Sequence, residues 1–371
     1  MKVLHICNDF SYSKVYKNLY QELDKLSIEQ VIYHPLRKNS KKGNNEFDFR
    51  MKGSKIVYSS FSLKNYHRIL FRLKVHSLFR DLIKQIDVSN IDISYPTTLY
   101  SDGAIAYKLF KKYKIPYIVA VRNTDVNLFL KYRPDLFSLA CKILKNAQKV
   151  IFISKGLKEL FFNYPRVAKH LGMIKSKIEI ITNGIDDVWL DNIYTKKNND
   201  NSFMYVGRFD TNKNIVTVIS ALSELRGKYD NITLDLVGGG GDKDDEVKKK
   251  ILKHGDWIKY HGFIYDKNKL IDIFRKNTYF VMPSIHETFG LVYIEALTQG
   301  LPILYTKNQG VDGLFSSEVG VATAPNFNSV KQSLELMIES KSKFDLSSID
   351  FTKYRWSNIA CKYKHIMKKY S

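Results

Sequence analysis

The chain has 371 residues, 44% of them hydrophobic, and a formal net charge of +22. It exceeds the size at which one hydrophobic core keeps growing, so two domains are expected. It has no run of about eighteen apolar residues to span a bilayer, and its three scattered cysteines, Cys7, Cys141 and Cys361, make no Cys-x-x-Cys pair or metal pattern.

The cysteines read as reduced core thiols, and the opening Met-Lys-Val-Leu-His-Ile-Cys reads as a strand rather than a signal peptide. The expectation is a cytoplasmic protein. Residues 1–190 carry 33 Lys+Arg against 16 Asp+Glu, and residues 191–371 carry 26 against 21, so the basic surface belongs to the first half. Such a field attracts nucleic acid, anionic lipid or phosphorylated substrates. No nucleic-acid-binding motif accompanies it, so nucleic acid is not expected as a partner.

Val3 to Cys7 reads as a buried strand, and Ser13 caps a helix carrying Val15, Leu19 and Leu23 on one face. The loop between them, Asn8-Asp9-Phe10-Ser11, contains no glycine. Val31 to Tyr33 and Lys55 to Tyr58 follow as strands. From Lys64 to Ile86 an apolar stripe of Tyr66, Ile69, Leu70, Leu73, Leu78, Phe79, Leu82, Ile83 and Ile86, flanked by Lys64, Arg68, Arg72, Lys74, Arg80 and Lys84, predicts one basic amphipathic helix. It suits packing on a sheet or lying on an anionic membrane surface. Ile91 to Ser94 and Tyr117 to Val121 are strands flanking a helix from Ser101 to Tyr113. The second runs into Arg122-Asn-Thr-Asp125, where the Arg122 fork suits phosphate oxygens or an ion pair to Asp125. Val150 to Ile153 and Ile178 to Ile181 are further strands, and Thr182-Asn-Gly-Ile-Asp186 is a turn in which Gly184 serves backbone conformation. Asn192 to Ser202 has linker composition.

Beyond the linker, Phe203 to Gly207 is a strand meeting Arg208, with Lys213 five residues on and a helix from Ile215. Leu234 to Val237 ends in the run Gly238 to Gly241, which lacks the Lys-Ser/Thr of a P-loop. The acids from Asp242 to Glu246 open a helix whose later lysines complement its dipole, so no metal site is proposed there. After Tyr260-His-Gly-Phe263 comes a strand, Tyr279 to Met282. The loop containing His286 and Glu287 follows, then Phe289-Gly290 and a helix with Leu291, Ile294 and Leu297 on one face, stopped by Gly300 and Pro302. A helix N-terminus opened by glycine suits a phosphate, and Glu287 and Glu295 can accept hydrogen bonds from hydroxyls of the same ligand. The strand Ile303 to Tyr305 and a basic terminal helix with Ile359, Tyr363 and Ile366 complete the chain.

Glu287 and Glu295 stand in an E-x7-E arrangement within HETFGLVYIEALTQGLPI, and Gly207-Arg208 is followed by Lys213-Asn214. Together these resemble the retaining GT-B glycosyltransferases of family four (glycosyl transferases group 1). The resemblance, with the alternation of strand and helix, implies an α/β fold of two Rossmann-like doubly wound parallel-sheet domains facing a cleft. The expected organisation is an acceptor-binding domain at 1–190, a linker at 191–202, a nucleotide-sugar-binding domain at 203–350, and a terminal helix at 351–371 crossing back to the first domain.

By the same resemblance Glu287 contacts the donor sugar and Glu295 the ribose. The backbone after Phe289 and Gly290, at Leu291, holds the diphosphate, and Arg208 and Lys213 clamp it. Gly207, Gly238, Phe263 and His286 border the donor, and Arg122 occupies the place where the family often has a histidine. The implied activity is metal-independent, retaining transfer of a sugar from a UDP or GDP donor to a glycan or lipid-linked acceptor in surface polysaccharide synthesis. No cofactor is expected, and a peripheral position on the anionic inner membrane face is. Sugar-nucleotide epimerases sharing the fold and an inactive glycan-binding relative are the alternative readings.

Overall fold

The computed structural model describes residues 1–371 apart from 39, 196–197 and 316–317, so two lysines of the expected linker lie outside the described residues. The chain divides into two compact units. Unit 1 comprises Met1–Ile153, Leu157–Gly184 and Trp356–Ser371, and unit 2 comprises Ser154–Gly156 and Ile185–Arg355.

Unit 1 is built on two parallel sheets. The first contains β1 (Lys2–Ile6), β2 (Glu29–Arg37), β3 (Lys55–Leu63) and β4 (Ile93–Pro96) in the order β3-β2-β1-β4. The second contains β5 (Ile118–Val121), β6 (Lys149–Phe152) and β7 (Ile178–Ile180) in chain order. An isolated bridge between Ser94 and Tyr117 links them, with the Ser94 N–H donating to the Pro116 carbonyl at 2.9 Å. Parallel strands covered by helices on both faces must be apolar throughout, which is why β4 and β5 are buried at every position.

The strand order reverses between β1 and β4, so the connections leaving their carboxyl ends diverge. Helices Lys14–Lys25 and Trp356–Tyr370 share one core layer. Tyr16, Leu19, Tyr20 and Leu23 from the first pack with Trp356, Ile359, Tyr363 and Met367 from the last, against Val3, Ile32, Ile93 and Ile118.

Three expectations need correction. The single helix expected from Lys64 to Ile86 is two, Tyr66–Ile69 and Phe71–Gln85, with Leu70 at the break in a non-helical conformation. The Arg133 guanidinium donates to the Arg68 carbonyl at 3.0 Å, occupying an acceptor that a continuous helix would offer to the residue four further on. The break divides the apolar stripe: Leu78, Phe79, Leu82 and Ile86 are buried, whereas Tyr66, Ile69, Leu70 and Leu73 are exposed. Of the three cysteines only Cys7 is a core thiol; Cys141 is half-buried and Cys361 exposed, on the outer side of the last helix. Gly184 does not adopt a positive φ. A Cβ there would lie 2.7 Å from the Trp356 ring, so glycine is needed for that close approach.

Unit 2 is one six-stranded parallel sheet. Its strands are β8 (Asn201–Gly207), β9 (Ile232–Gly238), β10 (Ile258–Tyr260), β11 (Tyr279–Val281), β12 (Ile303–Thr306) and β13 (Gly320–Thr323), ordered β10-β9-β8-β11-β12-β13. Here the reversal falls between β8 and β11. Helices Ile215–Leu225, Asp244–Lys253, Lys267–Arg275 and Leu291–Thr298 form crossovers between successive strands, and Phe327–Glu339 follows the last strand. The acids Asp244, Asp245 and Glu246 occupy the first turn of their helix, and Lys250 and Lys253 the last, complementing its dipole.

Candidate functional site

The reversal in unit 2 places the turn after β8 beside the loop after β11. In the first, Asp210 Oδ1 accepts from the Lys213 N–H at 2.9 Å and closes a turn of 3-10 helix over Thr211–Lys213. Asn214 then takes a left-handed φ of 59°, a conformation that asparagine tolerates better than most side chains, and the helix Ile215–Leu225 begins at once. The Asn214 amide donates to the carbonyls of Pro283 at 3.2 Å and Pro325 at 3.0 Å, which ties the turn to the end of β11.

Asn212 grips the facing loop from both sides. Its amide donates to the His286 carbonyl and its amide oxygen accepts from the His286 N–H, each at 3.0 Å. Its own carbonyl accepts from the Ile285 N–H at 2.8 Å. With the loop so fixed, Lys213 Nζ reaches Glu287 Oε2 at 2.7 Å, the two side chains being 25% and 12% exposed.

Glu287 is held along its backbone as well. Its N–H donates to Gln309 Oε1 at 3.1 Å, and its carbonyl accepts from the Gly310 N–H at 3.0 Å. Gly290, at φ 75°, precedes the helix Leu291–Thr298. A Cβ on it would stand 2.3 Å from the Tyr293 ring and 3.2 Å from Glu287 Cγ, so both conformation and space require glycine. No side chain caps this helix, and the N–H groups of Leu291 and Val292 have no acceptor among the described residues. Phe289 is buried against Tyr354, so only its backbone borders the site. The half-buried Glu295 lies further along the helix; burial pushes its carboxyl up to about 7, with Lys267 opposing the rise.

Gly207 and Gly238 are register partners at the ends of β8 and β9. A Cβ on Gly238 would fall 2.0 Å from the Gly207 carbonyl oxygen. Beside the glycine run, Phe263 is 58% and Tyr265 88% exposed, with rings 9° from parallel and 6.4 Å apart. Two bare aromatic faces next to backbone without side chains make a platform for a flat ring.

Arg208 is not drawn into the Lys213–Glu287 pair. Its side chain is 71% exposed, with Nε 3.9 Å from Asp210 Oδ2. His286 is exposed, and its backbone rather than its ring is what the loop uses. Arg122 belongs to unit 1, at the end of β5. The expected alternative, an ion pair from its guanidinium to Asp125, is not formed. Asp125 instead accepts from the backbone N–H groups of Arg122 at 2.8 Å, Leu99 at 2.9 Å and Tyr100 at 3.1 Å.

Asn212 and Gln309 were not singled out from the sequence. Each acts on residues distant in the chain, and no local pattern marks them. Asp242 accepts from the Thr211 N–H at 2.9 Å, and Asp244 from the Gly240 N–H at 2.6 Å, so both acids brace the surrounding turns. No cluster of three or more His, Cys, Asp or Glu suited to a metal ion occurs among the described residues. A cation paired to a carboxylate, two free helix N–H groups, a glycine run and an aromatic platform together suit a ligand combining phosphate, hydroxyls and a flat ring.

Residues 190–346 match the family model of glycosyl transferases group 1. The chain is 25% identical over 323 residues to an uncharacterized 41.2 kDa protein in the cps region of Klebsiella pneumoniae, covering 79% of this chain and 83% of that one. The lipopolysaccharide outer core galactosyltransferase WaaB superposes with a TM-score of 0.73 at 16% identity, covering 100% of this chain and 99% of that one. HepE from Anabaena, solved in complex with UDP, superposes with a TM-score of 0.72 at 15% identity over 100% of both chains. These likenesses show the fold, which is that of the GT-B glycosyltransferases. The likeness to the glycosyl transferases group 1 thus spans residues 190–346, most of unit 2.

Proposed function

We propose that the protein is a retaining, metal-independent glycosyltransferase of family four that moves a sugar from a UDP- or GDP-linked donor to a glycan or lipid-linked acceptor in surface polysaccharide synthesis. The observation that carries this reading is the 2.7 Å contact between Lys213 and Glu287, set beside the free N–H groups of Leu291 and Val292. In this reading the N–H groups and Lys213 receive the diphosphate, and the exposed Arg208 guanidinium pairs with it as negative charge develops on departure. Glu287 accepts from hydroxyls of the sugar and keeps Lys213 aimed at the leaving group. Glu295 accepts from the ribose hydroxyls, and the base stacks near Phe263. Attack from the face of departure retains the anomeric configuration without a protein nucleophile.

The acceptor class is supported by the cps-region relative and by the lipopolysaccharide galactosyltransferase whose fold the chain shares. A peripheral position at an anionic membrane fits the exposed apolar side chains of residues 66–73 and their neighbouring arginines. No helix among the described residues is long and apolar enough to cross a membrane.

The test is calorimetric binding of UDP, GDP and ADP in the presence of a chelator, with Arg208→Ala as control. Binding of one nucleotide, lost in the variant, is expected. Binding that requires a divalent ion would overturn metal independence, and binding of none would overturn the donor site. The configuration of the product's anomeric carbon, read by nuclear magnetic resonance, tests retention.

A further inference from the structure

The Glu287 carboxylate is directed mostly by its own loop. Its Oε1 accepts from the Thr288 N–H at 3.1 Å, and its Oε2, the atom that Lys213 holds at 2.7 Å, accepts from Ser284 Oγ at 3.5 Å. Where the carboxylate points therefore follows from where the loop 284–288 lies relative to the turn Thr211–Lys213. The Lys213–Glu287 pair spans that gap, but a partly exposed ion pair is too weak to fix the separation by itself. Asn212 places three hydrogen bonds across the same gap, on the consecutive residues Ile285 and His286.

An asparagine amide carries a donor and an acceptor side by side in one plane, which matches the carbonyl and N–H of His286. The reverse orientation of the amide would set oxygen against oxygen and N–H against N–H, so the pairing itself fixes which way the group faces. The turn that carries it is stiff: Asp242 Oδ1 accepts from the Thr211 N–H and Asp210 Oδ1 from the Lys213 N–H, each at 2.9 Å. The other side of the loop has separate supports, Gln309 Oε1 on the Glu287 N–H and the Gly310 N–H on the Glu287 carbonyl. Only the Asn212 side faces Lys213.

We propose that Asn212 is a positioning residue for sugar transfer, holding Glu287 at the separation from Lys213 that the reaction requires. The role rests on the glycosyltransferase reading, in which Glu287 meets the sugar and Lys213 the diphosphate. Without the Asn212 side chain the loop keeps its Gln309 and Gly310 anchors, and the helix start at Leu291 keeps its free N–H groups, so nucleotide still binds. The carboxylate instead loses its fixed place beside the cation at the leaving group. Misplacement of a reacting group by about 1 Å can cost about 10²-fold in rate. The loss therefore falls on kcat and not on nucleotide affinity.

The experiment compares Asn212→Ala and the isosteric Asn212→Asp with the parent chain. Binding of UDP and GDP is read by calorimetry, turnover as nucleoside diphosphate released from UDP-glucose, UDP-galactose and GDP-mannose, and the loop by hydrogen exchange of residues 283–290. In both variants kcat should fall by about 10²-fold, with nucleotide affinity within about threefold of the parent and exchange at His286 and Glu287 faster. Asn212→Asp fills the same space but sets a carboxylate oxygen against the His286 carbonyl. Below about pH 4 the new carboxyl is protonated and again offers donor and acceptor, so its exchange relative to the parent should return towards one, whereas that of Asn212→Ala should not. Parent-like kcat and exchange in Asn212→Asp at pH 7 would show a space-filling role and overturn the assignment, as would a loss confined to nucleotide affinity. Should Asn212→Ala not fold, Asn212→Asp and its pH dependence decide. A parent chain that binds neither nucleotide strikes the donor reading instead. Whether or not the parent turns over these donors, faster exchange in the variants supports the bracket and unchanged exchange overturns it.

Discussion

Glu295 keeps its carboxyl in a place that disfavours its charge. The folded-state value of about 7 lies above the ordinary 4.5 because the group is desolvated. Between these values an unfolded chain releases a proton that the folded chain retains, so this residue's contribution makes stability fall as pH rises through the window, and the penalty is complete above pH 7. Glu295→Gln removes it. The variant should resist urea better than the parent at pH 8, by on the order of 1–3 kcal/mol, and the difference should shrink towards pH 5. Nucleotide binding should weaken in the same variant if the charge serves the ribose. A variant no more stable at pH 8 would show that the carboxyl is solvated. Glu287 presents the converse case, a carboxylate with a cation already in contact. Because that pair is partly exposed, Glu287→Ala should change stability by less than about 1 kcal/mol. Transfer activity should drop by about 10²–10³-fold, the loss expected when a group aimed at the reacting centre is removed. Retained activity would remove Glu287 from the mechanism.

The pair of helices on either side of Leu70 shows how one element can serve two environments. Phe71–Gln85 buries Val75, Leu78, Phe79 and Leu82 against unit 1, whereas Tyr66, Ile69, Leu70 and Leu73 are each about half exposed or more, among Lys64, Arg68 and Arg72. Full burial of a large aliphatic side chain is worth about 1.5–3 kcal/mol. Replacing Ile69 and Leu73 together by Glu should therefore lower partition onto anionic vesicles at least tenfold, with little change in melting temperature, as read by vesicle sedimentation across a salt series. Binding indifferent to lipid charge would end the membrane reading. The apolar period from 64 to 86 was legible in the sequence, but the break was not, because no glycine or proline marks it and the Arg133 contact beside it is remote in the chain. Lys74 was hidden for a related reason: in a helical pattern it reads as part of the charged face, and only the fold sets it against Ser101. The strand-loop-helix around Glu287 and the turn holding Lys213 could be read because each is local. The Asn212 bracket and the Gln309 contact that fix their separation are not local, and no spacing announces them.

At the scale of the molecule, the chain leaves unit 1 after Gly184, builds unit 2, and returns to unit 1 at Trp356. The returning helix completes the first core. Trp356, Ile359, Tyr363, Ile366 and Met367 are all buried there, and the Tyr363 hydroxyl meets that of Tyr95 at 3.0 Å. The Cβ-free approach of Gly184 to the Trp356 ring fixes where the return begins. At about 1.5–3 kcal/mol for each large side chain, removing this layer forfeits an amount comparable with the roughly 5–15 kcal/mol by which a domain is usually stable. A chain ending at Arg355 should therefore fail to hold unit 1 in its native packing, and limited proteolysis should cut first within residues 1–184. Tyr363→Ala provides the graded version. It empties a buried aromatic volume and leaves the Tyr95 hydroxyl one partner short, so a loss of about 3–5 kcal/mol in chemical denaturation is expected. Truncated protein as resistant to protease in residues 1–184 as the full chain would mean that the first core closes without its last helix.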